Sequence, residues 1–202
     1  MINMSVESKN TFYLPENIVL PTIHPAATIV NSTITGDVVI EEDVFVINAV
    51  IRADEGTPFY ISKGSNIQDF ATLHAYFTQE DAIEIDSKLI YNKLVGKVAI
   101  FIGQNVSISH GVLVHGPVSI DNNTFIGFKS TIESSIIGKN VEIGAHSYIA
   151  NVTIPDNIGI APGSIIRDES DIKRFIVPLT DINSRIVNVN LQLMGYYCNN
   201  EL

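Results

Sequence analysis

Three histidines could do chemistry in this chain: His74 in "LHAY", and His110 and His115 in "SHGVLVHGP". A neutral imidazole nitrogen is a good ligand for a divalent transition metal, at a distance of about 2.0–2.1 Å. Three imidazoles with an open fourth position make a catalytic rather than a closed structural site. Zinc suits such a set, and Fe2+ or Co2+ would also fit it. The spacing sharpens this reading. His74 directly follows Leu73 and His115 directly follows Val114, so the two share one position of a repeat, whereas His110 comes two residues after Ile108.

The repeat is what must position them. Aliphatic residues recur every six positions: Ile34, Ile40, Val46; Ile61, Ile67, Leu73; and Ile102, Ile108, Val114, Ile120, Ile126, Ile132. After a five-residue step come Ile137, Ile143 and Ile149, and after another Ile154, Ile160 and Ile166. Neither the 3.6-residue helical period nor the two-residue strand period fits. A three-sided solenoid does: each hexad supplies one short strand and a corner, with the aliphatic pointing inward. The predicted fold is all-β, a left-handed parallel β-helix over residues 21–167, with an excursion at 75–97. Residues 1–20 read as an N-terminal extension and 168–202 as a C-terminal helical segment. There Ile182, Ile186, Val189 and Leu193 stand at helical spacing, and Thr180 or Asp181 can cap the start.

On this frame Leu73 and Val114 fall on the same side, one coil apart. Adjacent rungs lie about 4.8 Å apart, close enough for two imidazoles to share one ion. His110 belongs to the preceding side and points away, so it must join the pair from a second subunit. A triangular solenoid packing about a threefold axis supplies that subunit, and a homotrimer with interface metal sites is expected. His24 and His146 have no stacked partner and read as surface or corner residues.

Composition narrows the function classes. The chain has 202 residues and a net charge of −10, and 46% of it is hydrophobic. That is ample for a core, and the acidity argues against a nucleic-acid partner. No apolar run approaches the ~20 residues of a membrane span. The N-terminus lacks the apolar segment of a secretory signal, and the one cysteine, Cys198, fits a reducing compartment. The cytoplasm is the expected location.

The blocks "IRADEGTPFYISKGSNIQDFATLH", "IGQNVSISHGVLVHGP" and "TIPDNIGIAPGSII" together resemble the γ-class carbonic anhydrases. The resemblance spans roughly residues 21–200. It implies metal ligation by His74 and His115 of one subunit and His110 of the next. It implies interface ion pairs from Arg52, Asp54 and Asp69, and contacts from Glu55 and Gln68 to metal-bound water and bicarbonate. Asn66 matches a corner residue, and "VNVNLQLMGYY" places Asn190 as an active-site asparagine, with Asn188 where relatives carry tyrosine. The implied activity is reversible hydration of CO2 to bicarbonate, with metal-bound hydroxide as nucleophile. One departure stands out. Phe77 occupies a position where relatives carry a proton-shuttling glutamate, so Glu80, Asp81 or Glu84 would have to move the proton. Two other readings share this frame: a catalytically silent homologue acting as a scaffold or assembly protein, and a hexapeptide-repeat acyltransferase.

Overall fold

The repeat aliphatics from Ile40 to Ile166 are buried, and they form one continuous core. Each buried isoleucine contributes about 1.5–3 kcal/mol relative to exposure. A computed structural model describes residues 19–55, 57–76, 82–90 and 93–199, with no side-chain description for 86–90, 93–95 and 198–199. Phe77, Glu80 and Asp81 lie outside the described residues. The chain coils as a left-handed parallel β-helix of three sheets. The first sheet stacks Val38–Ile40, Phe59–Ile61, Ile100–Ile102 and Val118–Ile120 among its seven strands. The second includes Phe45–Ile47, Asn66–Ile67 and Ser107–Ile108. The third includes Val50–Ala53, Thr72–Ala75, Leu113–Gly116 and Thr131–Glu133. Inward residues register on their repeat equivalents, Ile102 on Ile120 and Ile120 on Ile137, so the five-residue step is absorbed at a corner.

The corners have their own chemistry. Asn105, Asn123, Asn140 and Asn157 all hold positive φ, between 53° and 61°. Asparagine tolerates this left-handed conformation better than other non-glycine residues. Their amides stack: Asn105 Nδ2 donates to Asn123 Oδ1 at 3.3 Å and Asn140 Nδ2 to Asn157 Oδ1 at 2.8 Å. Gly127 is required for a different reason, since a Cβ there would lie 2.6 Å from the Ala145 backbone nitrogen on the next rung.

The excursion contains an antiparallel pair, Ile83–Ile90 with Lys93–Val98. Its base joins Val39, Tyr60, Val98, Ile83, Ile85 and Phe101 in a second apolar cluster on the outside of the first sheet. Tyr60 donates its hydroxyl to Glu41, and burial pushes its phenol well above the ordinary range. Glu84 is exposed and pairs with Lys97 at 3.5 Å.

Beyond Ile166 the chain closes the solenoid. Helix α1, Glu169–Phe175, is capped by Asp168, whose carboxylate accepts from Ser170 N at 2.7 Å. That hydrogen bond holds the carboxyl below its usual range. Ile172 of α1 is buried against the end of the core. Residues Ile176–Val177 then add an antiparallel strand beside Gly159–Ile160. Helix α2, Ile182–Asn199, packs over the second sheet. It buries Asn183, Asn190 and Met194, while Val189 and Leu193 of the apolar spacing are exposed. The helix turns this way because its inward contacts are partly polar: Asn183 Nδ2 donates to Asn105 O at 2.7 Å, and Tyr197 packs on Phe45 with centroids 5.8 Å apart.

The start of α2 is held from outside itself. Glu142 accepts from Thr180 N at 2.7 Å, Thr180 Oγ1 at 2.8 Å and Ile182 N at 3.0 Å. A carboxylate at a helix N-terminus satisfies orphan amides and complements the helix dipole. Glu142→Ala should therefore loosen α2 by about 1–2 kcal/mol, the scale of a lost N-cap. Hydrogen exchange at the first turn of α2 checks this, and unchanged protection there would refute it.

Candidate metal centre

In the third sheet, alternation puts Leu73 and Val114 inside and so turns His74 and His115 outward. The strands register Arg52 with His74, His74 with His115, and His115 with Glu133, forming one outward column. The two imidazole centroids are 5.4 Å apart. His74 Nε2 lies 3.1 Å from Glu55 Oε1, with the carboxylate accepting. Tyr76, two residues on and on the same side of the strand, packs on His115 with centroids 4.6 Å apart. It also meets His74 at 6.2 Å.

His110 occupies the corner between the second and third sheets, where it is exposed. Its Nδ1 lies 3.1 Å from Asp69 Oδ2. Asp69 Oδ1 accepts from Asn48 Nδ2 at 2.6 Å, and Asn48 Oδ1 accepts from Asn31 Nδ2 at 2.7 Å. The Asn48 hydrogen bond, with a backbone hydrogen bond and then the nearby His110 behind it, outweighs desolvation and holds the Asp69 carboxyl below its usual range. An ionised Asp69 can only accept, so His110 carries its proton on Nδ1 and presents Nε2 as the basic nitrogen. A carboxylate behind an imidazole in this way is a common support for a metal-ligating histidine.

Gln68 is buried, and its Nε2 donates to Asn66 Oδ1 at 2.9 Å. Asn66 Nδ2 in turn donates to Ser107 Oγ at 2.9 Å, so Asn66 anchors Gln68 rather than only shaping a turn. Arg52 places Nε and Nη2 on the same Asp54 oxygen, Oδ2, at 3.1 and 2.8 Å. Asp54 Oδ1 is buried without a hydrogen-bond partner. Asn190 is buried on α2, over the second sheet, with its Nδ2 bonded to Ile186 O at 2.8 Å.

One chain thus brings together His74, His115 and Glu55. It holds His110, Asp69 and Asn48 as a separate group at the neighbouring corner. Among the described residues of one chain, no three His, Cys, Asp or Glu side chains converge to hold an ion. The donor chemistry nevertheless fits a divalent metal: two imidazoles one rung apart, and a third oriented by a carboxylate with its free nitrogen toward solvent. Reading the histidines alone misses Tyr76, Asn48 and the pair Glu133–Tyr148, whose hydroxyl and carboxylate are 2.9 Å apart. Repeat arithmetic could have found Glu133, eighteen residues after His115.

The chain is 32% identical over 192 residues to a carbonic anhydrase from Methanosarcina thermophila, across 88% of this chain and 74% of that protein. It is 31% identical to the carboxysome assembly protein CcmM of Nostoc, covering 87% of this chain and 30% of that protein. Among solved structures it resembles a putative acetyltransferase from Bacillus cereus, with a TM-score of 0.63 and 26% identity over 88% of this chain and 91% of the other. A hexapeptide transferase family protein from Anaplasma phagocytophilum has the same TM-score at 18% identity, covering 88% and 92% of the two chains, and shares the fold. No protein-family model matches. No described helix is long and apolar enough to cross a membrane. With the sequence blocks around His74, His110 and His115 and an extended match to a carbonic anhydrase, the chain belongs to the γ-class carbonic anhydrase family.

Proposed function

We propose that this protein catalyses the reversible hydration of CO2 to bicarbonate as a homotrimer, with one metal site at each subunit seam. The observation that carries this reading is the registered His74–His115 pair, 5.4 Å between centroids, in a chain where His110 is held apart on the next corner. Completing the set then takes His110 from a neighbouring subunit. Two further features favour a seam there. Phe70, Leu113 and Phe128, which flank His110 and His115 along the corner and the third sheet, are large apolar side chains exposed in the single chain. Buried and unpartnered, Asp54 Oδ1 is an acceptor suited to a donor from outside the chain.

His74, His110 and His115 would hold the ion; zinc fits them, and Fe2+ or Co2+ fit as well. When bound, the ion lowers the pKa of a coordinated water from 15.7 to around 7 and so supplies the nucleophile at neutral pH. Glu55, which lies 3.1 Å from His74, would orient that water and take up its proton. Gln68, fixed through Asn66 and Ser107, offers its side-chain oxygen to position it. Asn190 contributes an amide toward CO2 or bicarbonate. Arg52, Asp54 and Asp69 supply charge across the seam. We place the enzyme in the cytoplasm, in keeping with its single cysteine.

The match to CcmM favours a second reading, a silent assembly protein that retains the trimer. Stopped-flow CO2 hydration by protein loaded anaerobically with zinc or Fe2+ separates the two. Metal-dependent turnover supports the enzyme. Protein carrying about one metal per chain with no hydration above buffer would leave the assembly role as the better account.

A further inference from the structure

Two of the three histidines are oriented by carboxylates, His74 by Glu55 and His110 by Asp69, each at 3.1 Å. Among the described residues His115 has no such partner. What meets its ring instead is aromatic: His74 at 5.4 Å with an interplanar angle of 60°, and Tyr76 at 4.6 Å with an angle of 66°. Both contacts are T-shaped, the geometry aromatic pairs favour. We infer that Tyr76 is the positioning residue for His115, doing through ring packing what Asp69 does for His110. The inference rests on the metal-site reading above.

The placement follows from the sheet. Tyr76 directly follows the Thr72–Ala75 strand, two residues after His74, and packs on the same outer side. Tyr76 is then a diagonal neighbour of His115 on the next strand, within reach of an aromatic ring. At this point Ala75 registers on Gly116, where a Cβ would lie 2.8 Å from the Ala75 Cβ. Glycine there lets the Tyr76 end of the strand sit close over His115. Tyr76 itself is 65% exposed, so it contributes little to the core. Its conspicuous contacts are the two histidines. An imidazole in contact with both His74 and Tyr76 of the neighbouring rung has fewer orientations left, and its nitrogen is aimed before an ion arrives.

The test compares Tyr76→Ala with Tyr76→Phe, using Co2+ as the probe. Tyr76→Ala should weaken Co2+ binding roughly tenfold, the low end of what a ligand-supporting group contributes. Tyr76→Phe, which keeps the ring, should bind within about twofold of wild type. The visible absorption of bound Co2+ should change in the alanine variant and not in the phenylalanine one. A metal-free readout stands beside these. The ring protons of His115 should carry a Tyr76 ring-current shift in wild type and Tyr76→Phe that is lost in Tyr76→Ala. Equal Co2+ affinity in wild type and Tyr76→Ala, or an unmoved His115 resonance, overturns the inference. Tyr76→Phe behaving like Tyr76→Ala overturns it too, because the hydroxyl would then be the active part. If wild-type protein itself binds no Co2+, the metal-site reading falls and this inference with it.

Discussion

Two inactive variants, His110→Ala and His74→Ala, are expected to regain activity when they assemble together. Each alone should hydrate CO2 at no more than about one-hundredth of the wild-type rate, because an ion left with two imidazoles is held weakly and at the wrong geometry. In a threefold assembly each site takes His74 and His115 from one subunit and His110 from the next. A site is whole when the first subunit carries His110→Ala and the second carries His74→Ala. Random mixing of equal amounts gives about a quarter of sites that pairing, so about a quarter of wild-type turnover should return. Metal content per chain should recover in proportion. The variants must be co-expressed or refolded together, since preformed trimers would not exchange quickly. The structure motivates the experiment: His74 and His115 share an outward column, whereas His110 is held on the adjacent corner by Asp69. A mixture that stays inactive, with trimers confirmed mixed, would mean that all three ligands come from one subunit or that His110 is no ligand.

The shared outward column of His74 and His115 was legible from spacing because the solenoid is so regular. Six-residue recurrence of buried aliphatics fixes which residues share a rung, and registers such as His74 on His115 follow by counting. The counting failed where the repeat stops. The spacing of Ile182, Ile186, Val189 and Leu193 marks helix α2 but not its inward side: Ile182 and Ile186 are half-buried, Val189 and Leu193 are exposed, and Asn183, Asn190 and Met194 are buried. Apolar spacing chooses the inward side of a helix only when the surface beneath it is apolar. Here α2 lies beside a polar corner, where Asn183 finds the Asn105 carbonyl. Its cap was expected from Thr180 or Asp181 and comes from Glu142, forty residues earlier. No local pattern could announce that contact, since it exists only once the coils are stacked. Asn48 behind Asp69 belongs to the same class. So does Tyr76 over His115, although the alternation in "LHAY" already put it on the histidine side.

Asp69→Asn should lower metal affinity by about 10–100-fold, the usual effect of removing the carboxylate behind a ligating imidazole. Size is conserved in this change, so the loss comes from hydrogen-bond polarity. Asp69 accepts twice, from Asn48 Nδ2 at 2.6 Å and from His110, whose Nδ1 is 3.1 Å away. A carboxamide has one accepting oxygen and one donating nitrogen, so it cannot accept from both. If its oxygen turns to His110, two amide donors face each other at Asn48. If its nitrogen turns to His110, the imidazole must accept at Nδ1 and move its proton to Nε2, the nitrogen that would ligate. The second arrangement relieves the clash with Asn48 and should prevail, so the ion would have to displace a proton it does not meet in wild type. Competition with a zinc chelator measures the affinity, and 15N shifts of His110 in metal-free protein report which nitrogen is protonated. Unchanged affinity with Nε2 still unprotonated would remove Asp69 from this role. The match to interface ion-pair residues offers a separate reading of Asp69, as partner to an arginine across the seam. The two are distinguishable. A seam role predicts that Asp69→Asn promotes trimer dissociation on dilution, while the His110 role predicts a tautomer shift at concentrations where the trimer is intact. The 3.1 Å contact to His110 and the 2.6 Å bond to Asn48 carry the tautomer prediction, while each oxygen keeps a further lone pair for a seam contact.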